Sequence, residues 1–97
     1  MTTMINQSRA DQISKVCDGI KAMLIEKNKN YGDSALSPIR VFSKAPASAG
    51  IMIRLDDKIS RIKNSNELRK NDTIDLLGYL VLLCIANDWA NFEEQID

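Results

Sequence analysis

The sequence contains no histidine, and this absence narrows the chemistry that the chain can carry. Histidine is the commonest metal ligand and general base, so its absence excludes Ser-His and Cys-His nucleophile arrangements. The two cysteines, Cys17 and Cys84, fall in apolar helical stretches, which predicts reduced core thiols and no disulfide. Any site must therefore be built from carboxylates, cations, hydroxyls and the few aromatic rings.

The chain also lacks net charge and a long apolar run. Its 13 basic and 13 acidic side chains cancel, so bulk charge gives no reason to expect long nucleic acid or an anionic membrane as partner. The start, MTTMINQSRADQ, has no basic segment followed by an apolar one, which predicts no signal peptide. The uncharged stretch from Leu76 to Ala86 is shorter than the roughly twenty residues that span a bilayer. These features predict a soluble, cytoplasmic protein.

The first helix is predicted by apolar residues that recur every three or four positions after a polar start. Ser8 or Asp11 is expected to cap it, because both side chains accept hydrogen bonds from free backbone N–H groups. The helix is expected to run to about Asn28. Asn30 and Gly32 are the residues best suited to the turn that follows.

Two further helices follow from the same spacing. The second is expected to start near Pro46 or Ala47, because proline suits a first helical turn, and to fade within residues 63–71. The third is expected to run from about Asn71 to near Asn91. Its apolar residues lie on every side, which predicts a helix that is buried all round.

The segment between the first two helices, about residues 29–46, is predicted to be an irregular loop. A short helix or turn is expected around residues 38–42, because long structureless loops are uncommon in compact domains. Val41 and Phe42 are expected to pack on the core and to leave Arg40 partly buried.

The resulting prediction is an all-α fold: three antiparallel helices with one irregular loop, forming a single domain over residues 1–97. Residues 1–7 and 93–97 are expected to be frayed. A lone domain of this length buries only about two-thirds of its unfolded surface. Assembly into a homo-oligomer would bury more of the apolar surface.

Two carboxylates at the start of the third helix, Asp72 and Asp75, are three residues apart and therefore share one face. With Asp56 or Asp57 from the preceding helix, of which Asp57 is the predicted ligand, they could hold a weakly bound Mg²⁺, which prefers a few carboxylates plus waters and phosphate oxygens. The alternative is helix capping, with Asp72 as N-cap and Asp75 near the positive end of the helix. The two interpretations are compatible, and both stay open.

Cations and hydroxyls form the second candidate group. Arginine binds phosphate oxygens in a bidentate manner and lysine acts as a point charge. The alternative is that the lysines stay solvated, that Arg54 and Arg61 pair with Asp57 along their helix, and that Tyr79 is a core residue. The predicted ligand-binding residues are Lys27, Tyr31, Arg40, Ser43, Lys44, Arg54, Lys58, Arg61 and Tyr79.

Three motifs in this order resemble a family of small phage and bacterial proteins, the nucleotide modification associated domain of the first type. They are KN-x-x-YGDS at 27–34, RLDDKISRIKN at 54–64 and NDTIDLLGYLVLL at 71–83. That family is similar to the MazG and dimeric dUTPase group of all-α pyrophosphohydrolases. The resemblance implies an oligomeric helical fold with a nucleotide site lined by acidic residues. The further E-x-x-E motif of the pyrophosphohydrolases has no equivalent in this sequence.

Three hypotheses follow. The first is a phage-type binding protein that sequesters a nucleotide without turnover in the host cytoplasm, with a cyclic defence-signalling nucleotide as one candidate ligand. The second is a Mg²⁺-dependent nucleoside triphosphate pyrophosphohydrolase, in which Asp57, Asp72 and Asp75 hold the metal while Arg40 and Lys44 hold the phosphates. The third is a structural module that uses its apolar helix to assemble. The incomplete acidic set and the absence of histidine favour the first.

Overall fold

The computed structural model describes residues 6–96 and contains three α-helices. They are α1 (Arg9–Tyr31), α2 (Ala47–Ser65) and α3 (Lys70–Ala86). No strand occurs in this part of the chain, so the prediction of an all-α fold with three helices is confirmed. A single 3-10 turn at Glu93–Gln95 follows α3 within the segment expected to be frayed. Residues 1–5 and 97, which were also expected to be frayed, lie outside the described residues.

Helix α1 belongs to the first of two compact units, Met1–Gly32 and Asp33–Asp97. Its N-cap is Ser8, whose Oγ accepts a hydrogen bond from the Asp11 backbone N–H at 3.1 Å. At its other end Gly32 takes φ 73° and ψ −170°, a conformation that is essentially confined to glycine. The helix continues past the expected end near Asn28, so Tyr31 is its last residue and not part of a loop.

In the second unit, α2 and α3 form an antiparallel helical hairpin joined by residues 66–69. Pro46 occupies the N-cap of α2, which confirms the predicted start at Pro46 or Ala47. The helix ends where Asn66 adopts a left-handed conformation and donates its backbone N–H to the Lys63 carbonyl. Ile51 and Leu55 of α2 are the buried apolar side chains, at 1% and 9% exposure.

The prediction that α3 is buried all round is wrong. Leu80 keeps 48% of its surface exposed and Ile85 keeps 57%, although Asp72 and Gly78 are buried. Within the hairpin, α2 packs against one side of α3. A single neighbouring helix covers only one face, so side chains on the other faces of α3 are not covered by α2. Even so, no helix of residues 6–96 combines the length and the apolar character needed to cross a membrane.

Helix α3 ends five residues before the expected Asn91. Asp88 adopts a left-handed conformation with φ 57°. The Trp89 N–H then donates to the Cys84 carbonyl at 2.8 Å, and the Asp88 N–H donates to the Ile85 carbonyl at 3.0 Å. These two bonds form a Schellman motif, which satisfies the last carbonyls of the helix. Aspartate adopts the left-handed conformation more readily than most residues, so the helix can end here without a glycine.

The loop between α1 and α2 contains a turn, but not where the sequence predicted it. The Ser37 backbone N–H donates to the Asp33 carbonyl at 2.7 Å, whereas residues 38–42 form no helix. Phe42 is 99% exposed and Arg40 is also exposed, so the expectation that Val41 and Phe42 pack on the core is wrong. Arg40 has a positive φ of 62°, which redirects the chain at this point.

We expect Gly32→Ala to lower the free energy of unfolding by about 1–3 kcal/mol, because a Cβ is strained in this backbone conformation. Gly19→Ala is the matched control in the interior of α1, where open space surrounds the added Cβ. It should raise stability by up to about 1 kcal/mol through helix propensity. Urea denaturation measures both, and equal effects of the two substitutions would contradict the assignment of Gly32.

Candidate functional site: a cation-lined cavity between two helices

Lys58 connects α2 to the start of α3 through two carboxylates. Its Nζ lies 3.0 Å from Oδ2 of Asp75 and 3.5 Å from Oδ1 of Asp72. The two aspartates face it together because residues three apart lie on the same side of a helix. A single ammonium group therefore bridges the pair of carboxylates that the sequence proposed as metal ligands.

Asp72 stabilises the start of α3, but it is not the N-cap that the sequence suggested. The N-cap is Arg69, and Asp72 occupies the third helical position. From there its Oδ2 accepts hydrogen bonds from the Arg69 backbone N–H at 3.4 Å and from the Arg69 Nε at 3.2 Å. An acidic side chain at this position satisfies a backbone donor that the helix leaves free. Asp72 is only 2% exposed, so all its partners must come from the protein.

The environment shifts the pKa values of both ionised groups toward the charged forms. Burial alone would raise the pKa of Asp72, but the hydrogen bonds and charge of Arg69, together with the bond to Lys58, hold it below its usual range. The hydrogen bond to Asp75 raises the pKa of Lys58, against an opposing effect of desolvation. Lys58 and Asp72 are therefore both ionised throughout the physiological range.

Beside this cluster lies a cavity of about 240 Å³ between α2 and α3. It brings together four of the nine predicted ligand-binding residues, one predicted metal ligand from α2 and one from α3. Its lining residues are Arg54, Asp57, Lys58, Arg61, Asp75 and Tyr79.

The two guanidinium groups of this cavity form no ion pair with any residue in the range 6–96. The sequence suggested that Arg54 and Arg61 pair with Asp57 along α2, and that interpretation is wrong. Such pairs on a solvated helix face are worth little, so nothing holds the long side chains together. Both guanidinium groups are therefore available to an anionic ligand.

The predicted metal ligands do not assemble into one group. Within residues 6–96, no three side chains of the types His, Cys, Asp and Glu lie close enough together to hold a metal ion. Asp57 and Asp75 line the cavity, whereas Asp72 is bound to Lys58 and Arg69. The Mg²⁺ site of Asp57, Asp72 and Asp75 therefore stays a prediction.

The remaining predicted residues lie elsewhere. Arg40 and Ser43 line a second cavity, of about 520 Å³, between the loop and the start of α2. Lys44 braces this loop, because its Nζ donates to the Arg40 carbonyl at 3.1 Å. Lys27 and Tyr31 belong to α1, in the other unit.

Arg54 lines both cavities. Phe42 and Ile39, which the sequence analysis did not select, line the loop cavity as well. The sequence signal that could have indicated this cavity is the segment IRVF at 39–42, in which three apolar residues and one arginine lie together in a long loop.

No protein-family model matches this sequence, and the chain has no match among curated proteins or solved structures. The family resemblance described above stays an expectation.

The pKa shift of Asp72 predicts an acid-sensitive hairpin. Its stabilising contribution is fully present above the usual pKa of 3.8 and is lost as the pH falls through the lowered folded-state value. By the same linkage, the contribution of Lys58 is complete below its usual pKa of 10.5 and is lost as the pH rises through the raised value.

We expect Asp72→Asn to destabilise the fold at pH 7 and to flatten the loss of stability that sets in as the pH falls below the usual pKa of 3.8. Urea midpoints across this pH range measure the effect. Asp56→Asn is the matched control, because it removes an exposed carboxylate of α2 that lines neither described cavity. An unchanged acid response in Asp72→Asn would contradict the role given to this residue.

Proposed function

We propose that this protein binds a nucleotide and holds it without turnover. The observation that carries the proposal is the pair of guanidinium groups, Arg54 and Arg61, that line one cavity without an ion-pair partner among residues 6–96. Guanidinium groups form short, charge-assisted hydrogen bonds with phosphate oxygens, often two at a time. Tyr79 adds a phenol that can donate a hydrogen bond to the same ligand.

The environment of Lys58 supports binding over hydrolysis. Metal-dependent hydrolysis needs carboxylates that are free to coordinate the ion. In this cavity the ammonium of Lys58 lies between Asp72 and Asp75, and Arg69 takes the remaining oxygen of Asp72. A metal would have to displace Lys58 from both carboxylates before it could use them together.

A second candidate, Mg²⁺-dependent pyrophosphohydrolysis, has one observation in its favour. Asp57 and Asp75 line the same cavity as the two arginines, so a cation that bridges them would meet the phosphates of a bound nucleotide. Only two carboxylates would then serve the metal, with waters and phosphate oxygens completing its coordination.

The family resemblance supports the finer parts of the proposal. It implies a phage-type protein in the host cytoplasm and a homo-oligomeric assembly, and a cyclic defence-signalling nucleotide is a ligand in keeping with that setting. The exposed side chains of α3, including Leu80 and Ile85, provide apolar surface for such assembly.

Calorimetric titration with a panel of linear and cyclic nucleotides, with and without Mg²⁺, tests the proposal. We expect saturable binding, and chromatography of the recovered ligand should return it unchanged. Arg61→Gln should raise the Kd about ten- to hundredfold, because it removes a charge-assisted hydrogen bond to phosphate.

Lys63→Gln is the matched control, because it removes one positive charge from an exposed position of α2 that lines neither described cavity. Its Kd should stay within about twofold of the original value, since a solvated charge outside the site contributes only through screened attraction. Equal weakening in both variants would indicate nonspecific attraction. Release of a monophosphate only with Mg²⁺ would favour the second candidate.

A further inference from the structure

We propose that the loop cavity is the base-binding half of the nucleotide site and that Phe42 stacks on the nucleobase. The inference rests on the proposed function, because it assigns the other part of the same ligand. The cavity lies between residues 34–47 and the first two turns of α2, and its volume is about 520 Å³. Sites for small molecules range from about 300 to 1,000 Å³.

The cavity between α2 and α3 is smaller than a typical small-molecule site, which begins at about 300 Å³. Its volume is about 240 Å³, and its six lining residues are charged except for Tyr79. The cations among these charged side chains fit phosphates, and Tyr79 is the one aromatic ring among the six lining residues. The larger and more apolar loop cavity offers the base a better environment.

The loop cavity provides that surface. Its walls include the apolar side chains of Ile39, Val41, Phe42 and Ile53, and its polar groups include Arg40 and Ser43. Few polar groups among many apolar ones is the composition expected where a ligand ring is held and oriented. The two cavities thus differ in chemistry as the two ends of a nucleotide differ.

Arg54 joins the two cavities. It is one of the lining residues of each, so the cavities adjoin at this position of α2. A nucleotide whose base occupies the loop cavity can therefore place its phosphates beside Arg54 and Arg61. The positive charge at the junction complements the anionic end of the ligand.

Phe42 is the aromatic residue of the loop cavity and is 99% exposed, so the protein itself leaves the ring uncovered. The loop holds this position through local contacts. The Lys44 Nζ donates to the Arg40 carbonyl at 3.1 Å, and the Ser43 Oγ accepts from the Ala45 backbone N–H at 3.2 Å.

Arg40, two residues before Phe42, has a positive φ of 62°, which non-glycine residues rarely adopt. Such conformations concentrate at ligand-binding segments. This exposed ring on a braced loop is suited to stacking, because every nucleobase has a π face.

The test compares ATP, GTP, CTP and UTP with inorganic triphosphate, which carries the phosphates without a base. We expect the wild-type protein to bind at least one nucleoside triphosphate more tightly than inorganic triphosphate. Phe42→Ala should raise the Kd of that nucleotide about tenfold and leave the Kd of inorganic triphosphate unchanged. Phe92→Ala is the matched control, because Phe92 lies after α3 and lines neither described cavity.

A fluorescence experiment provides an independent readout. Trp89 is the single tryptophan of the chain, so Phe42→Trp combined with Trp89→Phe leaves one indole at the loop cavity. The preferred nucleotide should quench this emission by stacking, whereas inorganic triphosphate should not.

The outcomes separate this inference from the proposed function. Unchanged nucleotide affinity in Phe42→Ala would overturn the base site and leave nucleotide binding in place. Absence of binding to every nucleotide and to inorganic triphosphate would overturn both. A smaller particle mass in Phe42→Ala by light scattering, with nucleotide affinity unchanged, would assign the loop to contact with a second copy and would also overturn the base site.

Discussion

The contact of Lys58 with Asp72 and Asp75 is the interaction on which the rest of the structure depends. It joins the middle of α2 to the first turns of α3, and so it fixes the register of the helical hairpin. Because Asp72 is buried, the ammonium group also compensates a charge that would otherwise be costly. The same contact places the cation-lined cavity, since Lys58 and Asp75 are two of its walls.

As a consequence of this contact, the cations of the hairpin fall into two groups, those that pair with carboxylates and those that do not. Lys58 and Arg69 neutralise the carboxylates at the start of α3, whereas Arg54 and Arg61 have no ion-pair partner within residues 6–96. Lys58 and Arg69 therefore stabilise the fold, whereas Arg54 and Arg61 can bind an anion. Under the proposed function, this division is the reason why a cavity with acidic residues in its wall would take phosphate.

The helices themselves follow closely from the sequence, because their signals are local. Ser8 at the start of α1 and Pro46 at the start of α2 act within a few residues of their own position. The end of α3 was harder to predict from the sequence. Asp88 adopts a left-handed conformation there, and a glycine at this position would have been a clearer signal of a helix end. Gly32 shows the contrast, because a glycine at a helix end is a direct signal.

The site was only partly accessible from the sequence for a different reason. The cations of α2, Arg54, Lys58 and Arg61, lie four and three residues apart, and that spacing is visible in the sequence. The ion-pair partners of Lys58 could not be predicted from the sequence. Asp57, Asp72 and Asp75 all carry carboxylates, and only tertiary packing selects among them. Phe42 was assigned to the core because apolar residues are usually buried, whereas at 99% exposure it belongs to the surface of the loop.

The most direct test of nucleotide binding without turnover is ³¹P NMR of the preferred nucleotide mixed with an equal concentration of protein and with Mg²⁺. We expect the phosphate resonances to shift or broaden as Arg54 and Arg61 bind the phosphates, and we expect no new resonance to grow with time. Growth of monophosphate and pyrophosphate signals in proportion to protein concentration would contradict it and would assign the cavity to hydrolysis.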